Sequence, residues 1–162
     1  MIPTIGAAAS GTPLGLAKAA LANFFQRLPE RGIAYTTYSR QAEAPITHLQ
    51  VAEAAMKIDE AEFHSYRAAD LVDAKAASGE AWTLVERTRV RMDTAMTARL
   101  AKEAIDILNT ASGGSSIYRK VPIQRIARDI QAANLQGMIQ PTTNLELYGR
   151  ILCGLEPNTV NI

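Results

Sequence analysis

The stretch GGSSIYRKVPIQRIARD, residues 113 to 129, holds the turn that decides how this chain folds. Two glycines and two serines follow a long alanine-rich segment with helical spacing, and Pro122 then opens a new apolar pattern. Glycine often ends a helix, and proline is favoured at a first helical position. The stretch therefore predicts a tight connection between two helices.

The same stretch has features of an anion site. Backbone N–H groups in a Gly-Gly-Ser-Ser run can approach an anion closely, and the next helix begins with partial positive charge. Arg125 and Asp129 lie four residues apart, so a structural ion pair on one helix face explains both without a ligand. On the residues alone an ordinary helix-helix turn is favoured over an anion site, and both remain open.

Helical periodicity extends over most of the other residues of this 162-residue chain. Residues 33–44 are predicted to form a loop or a short extended piece, and 154–162 a tail. We predict an all-α fold, an up-down four-helix bundle with a short C-terminal helix, as a single domain over residues 1–162. Apolar residues at spacings of three and four place the helices at 10–28, 45–77, 81–111, 122–139 and 143–153.

The second predicted helix carries two apolar stripes. A helix with two stripes is expected to bury a broad face, as in the middle of a bundle, and such a face also suits assembly with other copies. One stripe is Leu49, Ala52, Met56, Phe63 and Tyr66, and the other is Val51, Ala55, Ile58, Ala69 and Val72.

Composition narrows the classes of function. The net charge of +1 gives no electrostatic footprint for nucleic acid. No run of about 18 apolar residues exists, so no membrane span is predicted. The apolar N-terminus lacks a basic start and is broken by proline and glycine, which argues against a signal peptide. The single cysteine, Cys153, excludes an intrachain disulfide, and a cytoplasmic location is expected.

Few residues suggest catalysis on their own. His48 and His64 are sixteen residues apart and no metal-ligand spacing surrounds them, so no metal site is predicted. Cys153 has no histidine near it in the sequence, and we expect a small buried residue there rather than a nucleophile. No catalytic residue is predicted.

Three motifs resemble a known family. Gly113 to Ser116, Pro122 to Arg125, and Arg128-Asp129 together resemble the C-terminal helical domain of the acyl-CoA dehydrogenase superfamily, which is a four-helix bundle. Tyr38 to Gln41 followed by Pro45-Ile46 is similar to the same domain. PTTNLELYGR, residues 141–150, resembles its flavin-dependent two-component monooxygenase branch, which includes 4-hydroxyphenylacetate hydroxylases. The resemblance covers nearly the whole chain.

This resemblance implies a function in flavin chemistry. A separate flavin reductase would supply reduced FAD or FMN, which would react with O2 beside a water-excluding pocket for a small-molecule substrate. It also implies a homo-oligomer, a dimer or tetramer, with flavin phosphate bound across a subunit interface. The implied cofactor contacts are Arg40, Gln41, Gly113, Gly114 and Ser115, and the implied polar contacts of the substrate pocket are Asn134, Gln136, Gln140 and Thr142.

The sequence departs from the family pattern in two places. Ser39 takes the position of the arginine in the Arg-x-Gln-Phe-Gly motif of the dehydrogenases, although Gln41 matches the glutamine. Gln140 stands where dehydrogenases carry a catalytic glutamate, and a glutamine cannot act as a base. Dehydrogenation is therefore disfavoured, and no histidine after His64 is available as an acid or base.

The N-terminal helical domain and the β-domain of the family have no counterpart in these residues. We expect that a chain of this kind is inactive by itself. Three interpretations remain open: the C-terminal domain of a monooxygenase-like protein, a free-standing non-catalytic oligomerisation module, and, least favoured, a fragment of an acyl-CoA dehydrogenase.

Overall fold

Six α-helices build residues 2–162, the part of the chain that the computed structural model describes. No β-strand occurs within these residues, which confirms the all-α prediction. None of the helices there combines the length and apolar character needed to cross a membrane. The helices are α1 (Ile2–Ala9), α2 (Gly11–Arg27), α3 (Pro45–Ser78), α4 (Leu84–Ala111), α5 (Pro122–Asn134) and α6 (Pro141–Leu152).

Helix α4 lies at the centre and packs against α1, α2, α3, α5 and α6. Residues 90–95 of α4 are buried without interruption, so this part of the helix has no solvent face. Ala98, Ala101 and Ala104 are fully buried as well, and their small side chains allow neighbouring helices to approach closely. Helices α2 to α5 thus form the four-helix bundle, while α1 and α6 flank the first half of α4.

Local signals in the sequence set both ends of the connection between α3 and α4. Gly79 follows α3 with a φ of +68°, a left-handed conformation that glycine adopts without strain. Thr83 and Glu86 form a capping box at the start of α4: the Thr83 hydroxyl accepts from the Glu86 N–H, and the Glu86 carboxylate accepts from the Thr83 N–H at 2.8 Å. These caps define the sharp reversal between the two longest helices.

The N-terminus contains a helix that the sequence pattern missed. Pro3 lies in the first turn of α1, where its missing N–H costs nothing, and Gly6 lies against α4. The Thr94 hydroxyl donates to the carbonyl of Gly6 at 2.9 Å. Ser10 separates α1 from α2, and its hydroxyl donates to the carbonyl of Ala7 at 2.6 Å. The predicted helices began only at residue 10, and both Pro3 and Gly6 are tolerated within α1.

The C-terminal half departs from the predicted boundaries. Helix α5 ends at Asn134 rather than at residue 139, because the Gln136 side-chain oxygen accepts from the N–H groups of Met138 and Ile139 and forms a turn. Helix α6 begins at Pro141, two residues earlier than predicted. Cys153 is exposed, so its prediction as a buried residue was wrong.

The first apolar stripe of α3 faces solvent in the single chain. Leu49 is 73% exposed, and Met56, Phe63 and Tyr66 are each nearly 60% exposed. The prediction of a broad buried face is therefore wrong for one chain by itself. Contact with α4 requires only a narrow seam of mostly small side chains, which are Thr47, Ala54, Ile58, Ala61, Ser65 and Ala68.

Candidate functional site

A cleft of about 540 Å3 opens where the end of α4 meets the loop after α2. We call it the loop cleft. It brings together four of the five cofactor contacts implied by the sequence, Gln41, Gly113, Gly114 and Ser115. Arg40 lies outside it, with a largely exposed side chain that pairs with Glu43. The remaining lining residues are Arg31, Gly32, Ile33, Ala34, Ile46, Gln50, Thr110, Ala111 and Tyr118.

Backbone geometry at Gly113 shapes one wall of the loop cleft. Its φ of +62° and ψ of −168° belong to a region that is accessible almost only to glycine. A Cβ at this position would lie 3.4 Å from Nη2 of Arg31, so a side chain would also press against the arginine. Gly114 then starts a short 3-10 turn, and the first amides of a helical turn have no acceptor within it. The loop thus presents backbone donors beside a guanidinium group.

Arg31 lines the loop cleft, and Arg27 lies beside it. Arg31 donates through Nη2 to the carbonyl of Ser112, and Arg27 donates through Nη2 to Oγ of Ser115 at 3.4 Å. Nη1 of Arg27 is buried and has no hydrogen-bond partner. Within residues 2–162 no carboxylate lies within 4.0 Å of either guanidinium. Burial, together with the nearby charge of Arg27, lowers the pKa of Arg31. Two partly buried cations without a counter-ion favour an anion between them.

Sequence reasoning missed both arginines. They lie four residues apart on either side of Pro29, at the end of α2, and the only local signal was this pair of basic residues beside a helix end. Their approach to Ser112 and Ser115, more than eighty residues later, follows from the tertiary fold.

Gln41 links the end of α4 to the loop after α2 on the other side of the loop cleft. It is only 3% exposed, and its Nε2 donates to the carbonyl of Ala111 at 2.7 Å. Its backbone N–H donates to the carbonyl of Arg31 at 2.6 Å. Oε1 of the same side chain is buried and has no partner, so it can accept a hydrogen bond from a ligand. The loop cleft therefore offers cationic donors together with one free acceptor.

A second depression, which we call the apolar groove, lies between α1, the start of α2 and the loop that joins α5 to α6. It holds about 300 Å3. Thr12 and Gln136 are the polar residues among those that line it, and none of the described lining residues is titratable. The full lining is Ile5, Gly6, Ala9, Thr12, Pro13, Ala133, Gln136, Met138 and Ile139.

The four implied pocket residues do not share one cavity. Gln136 lines the apolar groove. Asn134 is buried beneath it, and its Nδ2 donates to the carbonyls of Ala98 and Ile130, each at 3.1 Å. Gln140 lines a separate groove, and Thr142 is exposed on α6. Polar contacts from the apolar groove to a substrate are thus limited to Thr12 and Gln136.

A buried titratable cluster between α3 and α4 is internally paired. Asp93 is fully buried and accepts from Nδ1 of His64 and Nε of Arg67, each at 2.9 Å. Burial would raise the pKa of Asp93, but the hydrogen bonds from His64 and Arg67 lower it below its ordinary value. None of these three residues lines the loop cleft or the apolar groove. Within residues 2–162 no group of three His, Cys, Asp or Glu side chains is placed to hold a metal ion.

Comparison with known proteins gives a consistent pattern. The family model described as "Acyl-CoA dehydrogenase, C-terminal domain" matches residues 6–141. The oxygenase component of an FADH2-dependent resorcinol hydroxylase from Rhizobium sp. (strain MTP-10005) is 28% identical over 155 residues, which are 91% of this chain and 38% of that protein. The flavin-dependent monooxygenase oxygenase subunit HsaA of Mycobacterium tuberculosis is 27% identical over 144 residues, 89% of this chain and 36% of that protein.

A solved structure gives the same result. XiaF from Streptomyces sp., determined in complex with FADH2 and glycerol, superposes with a TM-score of 0.95 and 32% identity over 99% of this chain and 41% of that chain. The chain therefore spans about two fifths of the length of the relatives that it matches.

Proposed function

We propose, from the premise that this chain belongs to the acyl-CoA dehydrogenase C-terminal domain family, that it is the helical domain of an oxygenase that uses reduced flavin. The relatives named above are FADH2- or flavin-dependent monooxygenase components. The proposed cofactor is reduced FAD, supplied by a separate flavin reductase. Residues 2–162 would bind part of the cofactor and line part of the substrate pocket.

The arginine pair at the loop cleft, Arg31 in its lining and Arg27 beside it, carries this proposal. Arg27 and Arg31 would bind the diphosphate of the cofactor, because guanidinium groups donate in a fork that matches phosphate oxygens. The loop that begins at Gly113 would add backbone donors to the phosphates, and Oε1 of Gln41 would accept a hydrogen bond from a hydroxyl group of the cofactor. The buried unpartnered atoms of Arg27 and Gln41 fit such a ligand, since both gain the partner that they lack in the free chain.

The apolar groove would hold the substrate. A bound reduced flavin would supply the chemistry of O2 activation. This chain would bind and orient the substrate and would exclude water from it. Apolar walls at Ile5, Met138 and Ile139 exclude water, and Gln136 offers a single amide for orientation. None of the described lining residues is an acid or a base, so any proton transfer would involve groups outside the groove.

An ADP titration tests the phosphate role directly. ADP carries the same diphosphate as FAD but needs no site for the flavin ring. We expect Arg31→Met to weaken ADP binding about tenfold or more by isothermal titration calorimetry, because a charge-assisted contact is lost. Arg87→Met, an exposed arginine on α4, is the matched control and should leave the affinity unchanged. Equal ADP affinities for wild type and an Arg27→Met/Arg31→Met double variant would rule out the proposal.

The exposed stripe of α3 favours a second candidate, a helical assembly module. Leu49, Ala52, Met56, Phe63 and Tyr66 follow the alternating three- and four-residue spacing of a coiled-coil seam, with Asp59 as the one polar position within it. Contiguous exposed apolar side chains of this extent are typical of an interface. Assembly through α3 is compatible with the flavin role, and a chain that assembles but does not bind ADP would be an oligomerisation module alone.

A further inference from the structure

Residues 135–140, which join α5 to α6, form one wall of the apolar groove. Their backbone is held by the side-chain amide of Asn144. Nδ2 of Asn144 donates to the carbonyl of Met138 at 3.0 Å and to that of Gln140 at 2.8 Å. Asn144 is only 1% exposed, so water cannot readily replace these bonds. The position of the loop therefore depends on the orientation of one buried amide.

Arg91 on α4 holds the oxygen end of that amide. Its Nε donates to Oδ1 of Asn144 at 2.9 Å. An arginine side chain can only donate, so the amide oxygen must face Arg91 and the amide nitrogen must face the loop carbonyls. A flipped amide would place its oxygen against two carbonyl oxygens and its nitrogen against the guanidinium. Arg91 and the loop carbonyls thus favour the same orientation, and Arg91 holds the amide from the side opposite the loop.

Arg91 is an unusual residue to find in this place. It is 7% exposed, and no carboxylate lies within 4.0 Å of it among residues 2–162. Its second recorded partner is neutral: Nη1 donates to the backbone carbonyl of Asn161, so the C-terminal residues cover the guanidinium. Burial alone lowers its pKa. A buried cation satisfied only by neutral oxygens is costly, and an apolar side chain would fill the same space at a smaller cost.

We propose that Arg91 and Asn144 are positioning residues for the apolar groove. Arg91, covered by the C-terminal residues, fixes the amide of Asn144, and that amide fixes the loop that carries Met138 and Ile139. That the groove binds substrate rests on the proposed function. That Arg91 and Asn144 hold the loop at its wall does not. The width of the groove, and with it the size of apolar molecule admitted, would follow from these two side chains.

Amide hydrogen exchange at Met138 and Ile139 tests the proposal, measured by NMR on the 15N-labelled chain without flavin or substrate. We expect Arg91→Met and Asn144→Asp each to speed exchange at these two amides about tenfold relative to the helices, because the loop loses its hydrogen bonds. Arg89→Met is the matched control, since Arg89 lies on the same helix and contacts α6 only through the ring of Tyr148, 4.8 Å away. It should leave the loop unchanged.

Asn144→Asp separates positioning from simple structural support. The aspartate would pair with Arg91 as a buried salt bridge but would lose both donors to the loop. Positioning predicts faster exchange in the loop, whereas a merely structural role predicts unchanged or slower exchange. Unchanged amide exchange at Met138 and Ile139 in Asn144→Asp would overturn the proposal. This outcome is decisive even if the Arg91→Met variant does not fold. Wild-type affinity for ADP in the same variant keeps this result separate from the test of the loop cleft.

Discussion

At the scale of the residue, the arginines of this chain differ in what faces them. Arg67 meets the carboxylate of Asp93, while Arg31 meets only a carbonyl oxygen. A carboxylate partner compensates the charge of an arginine, whereas an arginine without such a partner can still bind an anion. The difference in partner, more than the residue type, makes the loop cleft a candidate site.

Gly113 offers a test at this scale. Gly113→Ala should destabilise the chain by about 1–3 kcal/mol, because alanine is strained at a φ of +62° with an extended ψ. It should also weaken ADP binding, since the new Cβ would contact Arg31. Urea denaturation and calorimetry measure the two effects.

Gly114→Ala is the matched control for this substitution. No atom lies within 4 Å of a Cβ at Gly114, and its φ is not in the left-handed region. Similar losses of stability in both variants would show that the loop is generally intolerant of side chains, and would remove the special role of Gly113.

At the scale of the element, helix α4 depends on its first turn. The capping box links Thr83 and Glu86, and Lys75 at the end of α3 lies 2.9 Å from the Glu86 carboxylate. The backbone hydrogen bond from Thr83, followed by the one from Lys75, lowers the pKa of Glu86 to about 2. One carboxylate therefore stabilises the start of α4 and its junction with α3.

The depressed pKa of Glu86 predicts a specific pH dependence. Its folded value of about 2 lies below the ordinary value of 4.5, so its stabilising contribution is complete above pH 4.5 and is lost as the pH falls toward 2. We expect Glu86→Gln to lower the thermal midpoint at pH 7, with the difference from wild type shrinking between pH 4.5 and 2. Circular dichroism melts at several pH values measure this. A difference that stays constant down to pH 2 would contradict it.

Elements were easier to predict from this sequence than sites. The spans of α3 and α4 followed from local periodicity and from Gly79 and Gly113, because these signals act within a few residues. The end of α5 did not, since a single side chain, Gln136, competes there with helical hydrogen bonding. Gln41 was predicted as a contact through the resemblance, and the Gly113 loop through its glycines and serines as well as the resemblance. Arg27 and Arg31 were not predicted, because the lack of a carboxylate partner can be seen only in the three-dimensional structure.

At the scale of the whole molecule, the first apolar stripe of α3 forms a row of exposed apolar side chains on the surface. The unpaired acids beside it, Glu53 and Glu60, would lie at the rim of any interface formed there, where charge is tolerated. A single chain leaves these apolar side chains in water, and a second copy packed along α3 would cover them.

Sedimentation measures this directly. We expect the wild-type chain to sediment as a dimer or a larger oligomer, and Phe63→Glu to shift it to a monomer, because a charge in the middle of an apolar seam is costly to bury. Phe25→Glu is the control, since Phe25 is an exposed aromatic on α2. A monomeric wild type, or equal effects of the two variants, would contradict assembly through α3.

The alanines between α3 and α4 also bear on how this sequence can evolve. Ala54, Ala61 and Ala68 are completely buried at intervals of seven, and each fills the space that separates two backbones. A larger side chain would force the helices apart, and only glycine or serine could replace alanine without doing so. The spacing between α3 and α4 therefore depends on small side chains at these three positions.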